Sequence, residues 1–126
     1  MKKNCIYIIF CFFIITSCDP VGFTNITFQN ESSYDLRIKI VDKYDSDHFL
    51  PNSIELMKNR SASSSMGQVP SPPDPKIYIA EIVFSNLYSG AIIKTIDINT
   101  ENILILISSS SSKDDYLIKI TDDFLR

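Results

Sequence analysis

The sequence predicts an all-β fold: an antiparallel β-sandwich of about seven or eight short strands, immunoglobulin-like, with a short helical apolar segment ahead of it. A small closed β-barrel is the alternative. Three observations point this way. Apolar and polar residues alternate with a period of two, most plainly where Tyr34, Leu36, Ile38 and Ile40 interleave with Asp35, Arg37 and Lys39. Clusters of Asn, Ser, Asp, Gly and Pro punctuate these runs at short intervals. No later stretch has the spacing of a long amphipathic helix, and strands and helices do not alternate as in an α/β protein.

Taken in order, Phe23 to Gln29 combines β-branched and aromatic residues, with Thr27 between Ile26 and Phe28, and reads as the first strand. Asn30, Glu31, Ser32 and Ser33 form a polar turn, so the run to Ile40 reads as the return arm of a hairpin with one wet face. Asp42 to Asn52 is polar and contains Pro51, a loop, and Ile54 and Leu56 mark a short third strand before Asn59 and Arg60. Ser61 to Gly67 fits either a weak edge strand or an open loop. Pro70, Pro72, Pro73 and Pro75 remove amide donors and fix φ, which disfavours helix and central strand alike; they read as a stiff crossover between sheets rather than a domain boundary. Beyond them, Ile77 to Phe84, Ala91 to Ile98 and Ile103 to Ile107 carry apolar residues on both faces, the pattern of central strands. Ser108 to Ser112 with Lys113, Asp114 and Asp115 make a hairpin tip, and Tyr116, Ile118 and Ile120 alternate into the last strand. Only Asp122 to Arg126 favours a helical turn.

The amino terminus is built differently. Lys2 and Lys3 give a positive tip, residues 5–15 an apolar run, and small residues lead to Cys18, which is the layout of a secretory signal. As a helix that run rises only about 16 Å, roughly half the hydrocarbon thickness of a bilayer, so cleavage fits better than a permanent span. Ile15-Thr16-Ser17-Cys18 resembles the lipobox of bacterial lipoproteins, in which an aliphatic residue and two small ones precede the modified cysteine. The resemblance implies transfer of diacylglycerol to the Cys18 sulfur, cleavage before Cys18, and often palmitate or another acyl chain on the freed amine. It places the chain in a bacterial cell envelope, anchored to a membrane on its periplasmic or cell-surface side. The abundance of Ile, Asn, Lys and Ser is similar to that of Bacteroides-like organisms, whose surface lipoproteins carry acids after the cysteine; here Asp19 stands alone. The expected organisation is a signal peptide over 1–17, a lipidated tether over 18–22 and one sandwich domain over 23–126.

Charge and cysteine content narrow the functions. Without Lys2 and Lys3 the exported chain carries 10 basic and 15 acidic side chains, with the basic ones scattered singly. Nucleic-acid binding needs clustered Lys and Arg, so it is excluded as an expectation. Cys5 and Cys11 lie in the apolar run and Cys18 in the lipobox, so no intramolecular disulfide is available to the domain.

The chemistry-bearing residues form weak constellations. His48, the only histidine, lies among Asp42, Asp45 and Asp47, but their spacing lacks the central glycine and terminal glutamate of a calcium loop, so no metal is expected. No Gly-x-Ser-x-Gly elbow accompanies it, so no catalytic residues are assigned and no cofactor is expected. Asp114-Asp115 and Asp122-Asp123 are adjacent pairs that point to opposite faces of a strand, unlike a glycosidase pair facing across a cleft. Tyr44, Phe49 and Tyr88 are loop aromatics suited to stacking on a sugar or anchoring a partner. The candidate partner-binding loop is therefore Asp42, Tyr44, Asp45, Asp47, His48 and Phe49, with Cys18 as the lipidation site. The function expected is non-catalytic: binding a protein or glycan partner, or service as an accessory subunit of an envelope assembly. An inhibitor or immunity-type lipoprotein that neutralises a toxin or hydrolase with an acidic loop is the alternative, an adhesin or pilus-type subunit a third, and an envelope hydrolase the least favoured.

Overall fold

Residues whose side chains alternate between core and solvent form nearly every element of the computed structural model, which describes residues 21–44, 47–68 and 71–126. The strands are β1 (Gly22–Asn30), β2 (Leu36–Asp42), β3 (Ser53–Leu56), β4 (Ser61–Gln68), β5 (Ile79–Asn86), β6 (Ile92–Asp97), β7 (Ile105–Ser109) and β8 (Lys113–Ile120), with a single helical turn, α1 (Pro75–Tyr78), before β5. Two four-stranded sheets result, a first in the order β4-β1-β8-β7 and a second in the order β3-β2-β5-β6. Every pairing is antiparallel except that of β1 with β8, which is parallel. The expected antiparallel sandwich is present and the closed barrel is not. Its two packed sheets make a sandwich, and the strand order differs from that of a constant-type immunoglobulin domain. A constant-type immunoglobulin domain sets its first strand beside its second, whereas here β1 and β2 lie in opposite sheets.

The inward-facing residues form one core shared by both sheets. Ile26 and Phe28 of β1 and Ile118 and Ile120 of β8 meet Leu36, Ile38, Ile82 and Phe84 of the second sheet, all fully buried. Phe124 closes one end of the core, its ring edge-on to Phe84 at 5.4 Å, and Lys94 donates to its carbonyl at 2.8 Å. Among the described residues no helix is long and apolar enough to cross a membrane.

Three local expectations are corrected. Residues 30–40 are not a hairpin return: after β1 the chain crosses to the second sheet. Asn30 makes the crossing possible. Its side chain is fully buried, donates to the carbonyls of Tyr34 (2.8 Å) and Leu56 (3.1 Å), and accepts from the Ser32 amide (3.0 Å) and hydroxyl (2.6 Å). Backbone groups that a hairpin ladder would have satisfied are thus met by one side chain. The second correction is to β6 and β7, both expected to be central: β6 is the outer strand of the second sheet, and the same holds for β7 in the first. On β7, Ile105, Leu106 and Ile107 are each more than half exposed, because apolar residues on both faces here mark an uncovered edge. The third is a helical turn within the proline segment: Pro75 opens α1, where a missing amide costs nothing, and Asp74 caps it by accepting from the Lys76 amide. The helical turn expected at Asp122 to Arg126 is present as a single turn, the Leu125 amide donating to the Thr121 carbonyl at 3.2 Å.

The proline connection does cross between sheets, as expected, and it lies tightly along β1. A Cβ on Gly22 would collide with the backbone of Ser71 and Pro72, so glycine is required there. The fully buried Thr24 hydroxyl donates to the Pro73 carbonyl at 2.6 Å. Ser61 to Gly67 resolves as an edge strand whose outer side is partly covered: Leu50 and Ser65 exchange backbone hydrogen bonds of 3.0 and 3.1 Å.

Two substitutions test these points by chemical denaturation. Asn30→Ala leaves several buried backbone groups unpartnered and is expected to cost about 3 kcal/mol. Ser64 faces the core and its hydroxyl is buried with no hydrogen-bond partner among the described residues, so Ser64→Ala is expected to stabilise the fold by about 1 kcal/mol.

Candidate functional site

The loop from β2 to β3 is organised around Asp42. A bulge between Val41 and Asp42 shifts the pairing with β5 and turns the carboxylate toward the loop that follows. Asp42 Oδ2 accepts from the His48 amide and from His48 Nδ1, both at 2.8 Å, and Oδ1 accepts from the Tyr44 amide at 3.3 Å. Since an ionised carboxylate only accepts, Nδ1 carries the proton of that bond. The imidazole stands tilted against the Tyr78 ring at 4.9 Å and edge-on to Tyr44 at 5.9 Å, and the two tyrosines meet edge-on at 6.3 Å. Lys43 ties the loop to α1: its amide donates to the Tyr78 carbonyl at 2.8 Å and its ammonium to the Lys76 carbonyl at 2.6 Å.

Asp42 is the hinge of this arrangement electrostatically as well. Burial, the largest single influence, pushes its carboxyl up, since only 7% of the side chain is exposed. The His48 amide, the His48 ring and the Tyr44 amide together outweigh it and hold the group below the ordinary carboxylate value.

The residues picked from the sequence therefore divide. Asp42 and His48 form a hydrogen-bonded pair, and Tyr44 and Asp47 are exposed on the same loop. Phe49 is 1% exposed and anchors the loop in the core, so it offers nothing to a partner. Asp45 and Cys18 lie outside the described residues. Among the described residues, no group of three His, Cys, Asp or Glu side chains is placed to hold a metal ion. The paired acids have separate local partners. Asp114 accepts from Ser109 at 2.6 Å, whereas Asp115 accepts from Ser108 at 2.9 Å and Asn25 at 3.2 Å. The Ser108 hydroxyl leads the influences that hold Asp115 below the ordinary range; burial opposes it, and Asn25 and Lys113 add to it.

A second cluster lies at the opposite end of the sandwich. β1 ends and β2 begins there, so it is remote from Asp42, which closes β2. Tyr88, 75% exposed in the β5–β6 turn, donates its hydroxyl to Asp35 at 3.0 Å. The Asn86 carboxamide accepts from the amides of Tyr88 and Ser89, and Gly90 closes the turn at φ 72, a left-handed conformation glycine adopts freely. Nearby, Ser33, Tyr34, Ile93, Asp122, Leu125 and Arg126 line a shallow cleft of about 230 Å³. The Ser33 amide, then its hydroxyl, holds Asp122 below the ordinary carboxylate range. Tyr88 was legible as a loop aromatic. The cleft was not, because Tyr34 reads in sequence as the first inward residue of an alternating strand, and it precedes β2 with its side chain half exposed.

A carboxylate held low in the folded state stabilises the fold above its unfolded value, and that contribution fades as pH falls through the folded value. Asp42→Asn is therefore expected to cost about 2 kcal/mol near pH 7. The difference from wild type should shrink once pH drops below the ordinary 3.8, as read by urea denaturation across pH. Neither a family model, nor a curated protein, nor a solved structure matches the chain.

Proposed function

We propose that the chain is a lipid-anchored protein of a bacterial cell envelope whose sandwich recognises a protein or glycan partner without transforming it. The observation that carries this reading is the placement of Cys18. The residues Ile15-Thr16-Ser17-Cys18 end only three residues short of Gly22, where β1 begins. A cysteine at the end of an apolar run and immediately ahead of a folded domain is suited to thioether attachment of lipid. Two or three acyl chains give lasting anchorage where one does not.

Such a short tether has a geometric consequence. Four residue steps span at most about 14 Å, so the Gly22 end of the sandwich stays close to the bilayer. The Asp42–His48 loop is at that end: Gly22 and Thr24 lie against Pro72 and Pro73, and α1 continues from there to Tyr78 and the loop. Tyr34, Tyr88 and the cleft beside Arg126 occupy the end farther from the anchor. Recognition by exposed Tyr34, which lines the shallow polar cleft, and by Tyr88 at the same end of the sandwich suits a protein surface or a sugar face, since each tyrosine offers an apolar ring and a polar tip. The acidic-loop inhibitor is the weaker reading, because the Asp42 carboxylate is already committed to His48 and Tyr44.

Labelling with radioactive palmitate in the native host tests the anchor. The wild-type protein is expected to incorporate label and to fractionate with membranes. Cys18→Ser is expected to lose the label and to retain the uncleaved signal by mass measurement of its amino terminus. An unlabelled, soluble wild-type product rejects the proposal.

A further inference from the structure

Three of the four sheet edges are guarded. β3 has only four residues, β4 is bridged by Leu50, and β6 carries Lys94 and Asp97. β7, five residues long with a bulge between Leu106 and Ser108, has neither a charge nor, among the described residues, a bridging segment along it. From Asn102 to Ser112 the chain contains no charged residue and no proline, and Ile105, Leu106 and Ile107 are 54%, 52% and 60% exposed. An edge of this kind offers unpaired backbone donors and acceptors beside apolar side chains, a template for another strand.

The sequence across the edge indicates which strand. Ile103-Leu104-Ile105-Leu106-Ile107 reads identically in both directions. We infer that β7 pairs antiparallel with β7 of a second copy about a two-fold axis through Ile105, joining the two first sheets into one of eight strands. In that register Ile105 faces Ile105, Leu106 faces Leu104 and Ile107 faces Ile103. Ile103 and Leu104 precede β7 and pack partly buried against the core, so the pairing extends the strand by two residues, with side chains of like shape opposite one another and no charge between them. Ile105 is registered beside Leu117 of β8, so the seam gathers a row of four apolar side chains, two from each copy, on the outer face of the joined sheet. An unrelated strand would use the same backbone groups but would leave the palindrome without a role.

The inference does not depend on lipidation, and it is compatible with it. The two-fold of an antiparallel pair stands perpendicular to the sheet, so both copies present the outer face of the first sheet to the same side. Phe23 lies on that face, with its neighbour Thr24 buried, so both amino termini approach one surface.

The full chain in mild detergent tests this by sedimentation and by cross-linking. Wild type is expected to be dimeric at about 50 µM, a concentration that reads a micromolar Kd. Ile105→Lys, at a half-exposed site that tolerates the charge, is expected to weaken dimerisation at least about tenfold with an unchanged circular-dichroism spectrum. Ile105→Cys should give several-fold more disulfide-linked dimer under mild oxidation than Ile92→Cys, a comparably exposed position on the β6 edge. The chain's own three cysteines are common to all these proteins and set the background. A monomeric wild type, an Ile105→Lys protein as dimeric as wild type, or equal cross-linking at 105 and 92 overturns the inference. Repeating the measurements on Cys18→Ser separates this outcome from the fate of the lipid anchor.

Discussion

Asn30 is buried where the chain leaves the first sheet for the second, and its carboxamide does the work that a run of paired backbone would do in a hairpin. The rest of the topology follows from that crossing. Because β1 does not pair with β2, both of its edges remain open, and β4 takes one while β8 takes the other. The strand nearest the amino terminus and the strand nearest the carboxyl terminus thus become central neighbours, and running in the same direction they pair in parallel. The first sheet closes only when β8 is in place, so its pairing is long-range by construction.

No disulfide shares this burden, since Cys5, Cys11 and Cys18 all precede the sandwich. The hydrophobic core is continuous across both sheets, and its members are mainly Ile, Leu and Phe, whose shapes interlock without polar atoms to satisfy. Polar groups that do enter the interior are matched individually, as Thr24 is by Pro73 and Asn30 by its crossing partners. Among the described residues Ser64 is the exception, and it sits opposite Ile26 on the β4 edge, where a small residue is wanted and a hydroxyl is not.

Strand positions were legible because a period of two is written directly into side-chain order: Leu36, Ile38 and Ile40 face inward as their spacing requires. Partners were not legible. Alternation says which face a residue takes but not which strand lies beside it, so residues 30–40 read as a hairpin when Asn30 sends them across the core. The same gap explains β7. Apolar residues on both faces are shared by central strands, which neighbours cover, and by an edge awaiting a neighbour, and composition does not distinguish them. In the candidate loop, the Asp42–His48 pair and exposed Tyr44 were within reach of sequence reasoning because all three lie within a few residues. Phe49 was misplaced because a loop's apolar anchor and its apolar contact residue look alike until burial is known. The Tyr34 and Arg126 cleft joins residues far apart in the chain, and only the crossing at Asn30 and the end of β8 bring them together.

An exposed apolar edge on an otherwise guarded sandwich is costly for a chain that diffuses freely, because it pairs with whatever strand it meets. Confinement changes that balance. A protein held at a surface by a tether of a few residues meets its own copies at a high effective concentration and in a restricted orientation. On the proposed lipid anchor, that constraint would strengthen the inferred edge pairing beyond its micromolar value in solution, and a palindromic strand favours a second copy over a foreign one. The absence of charge on β7 is then consistent with the charges placed on β6: the edge left open is the one that a like strand can close.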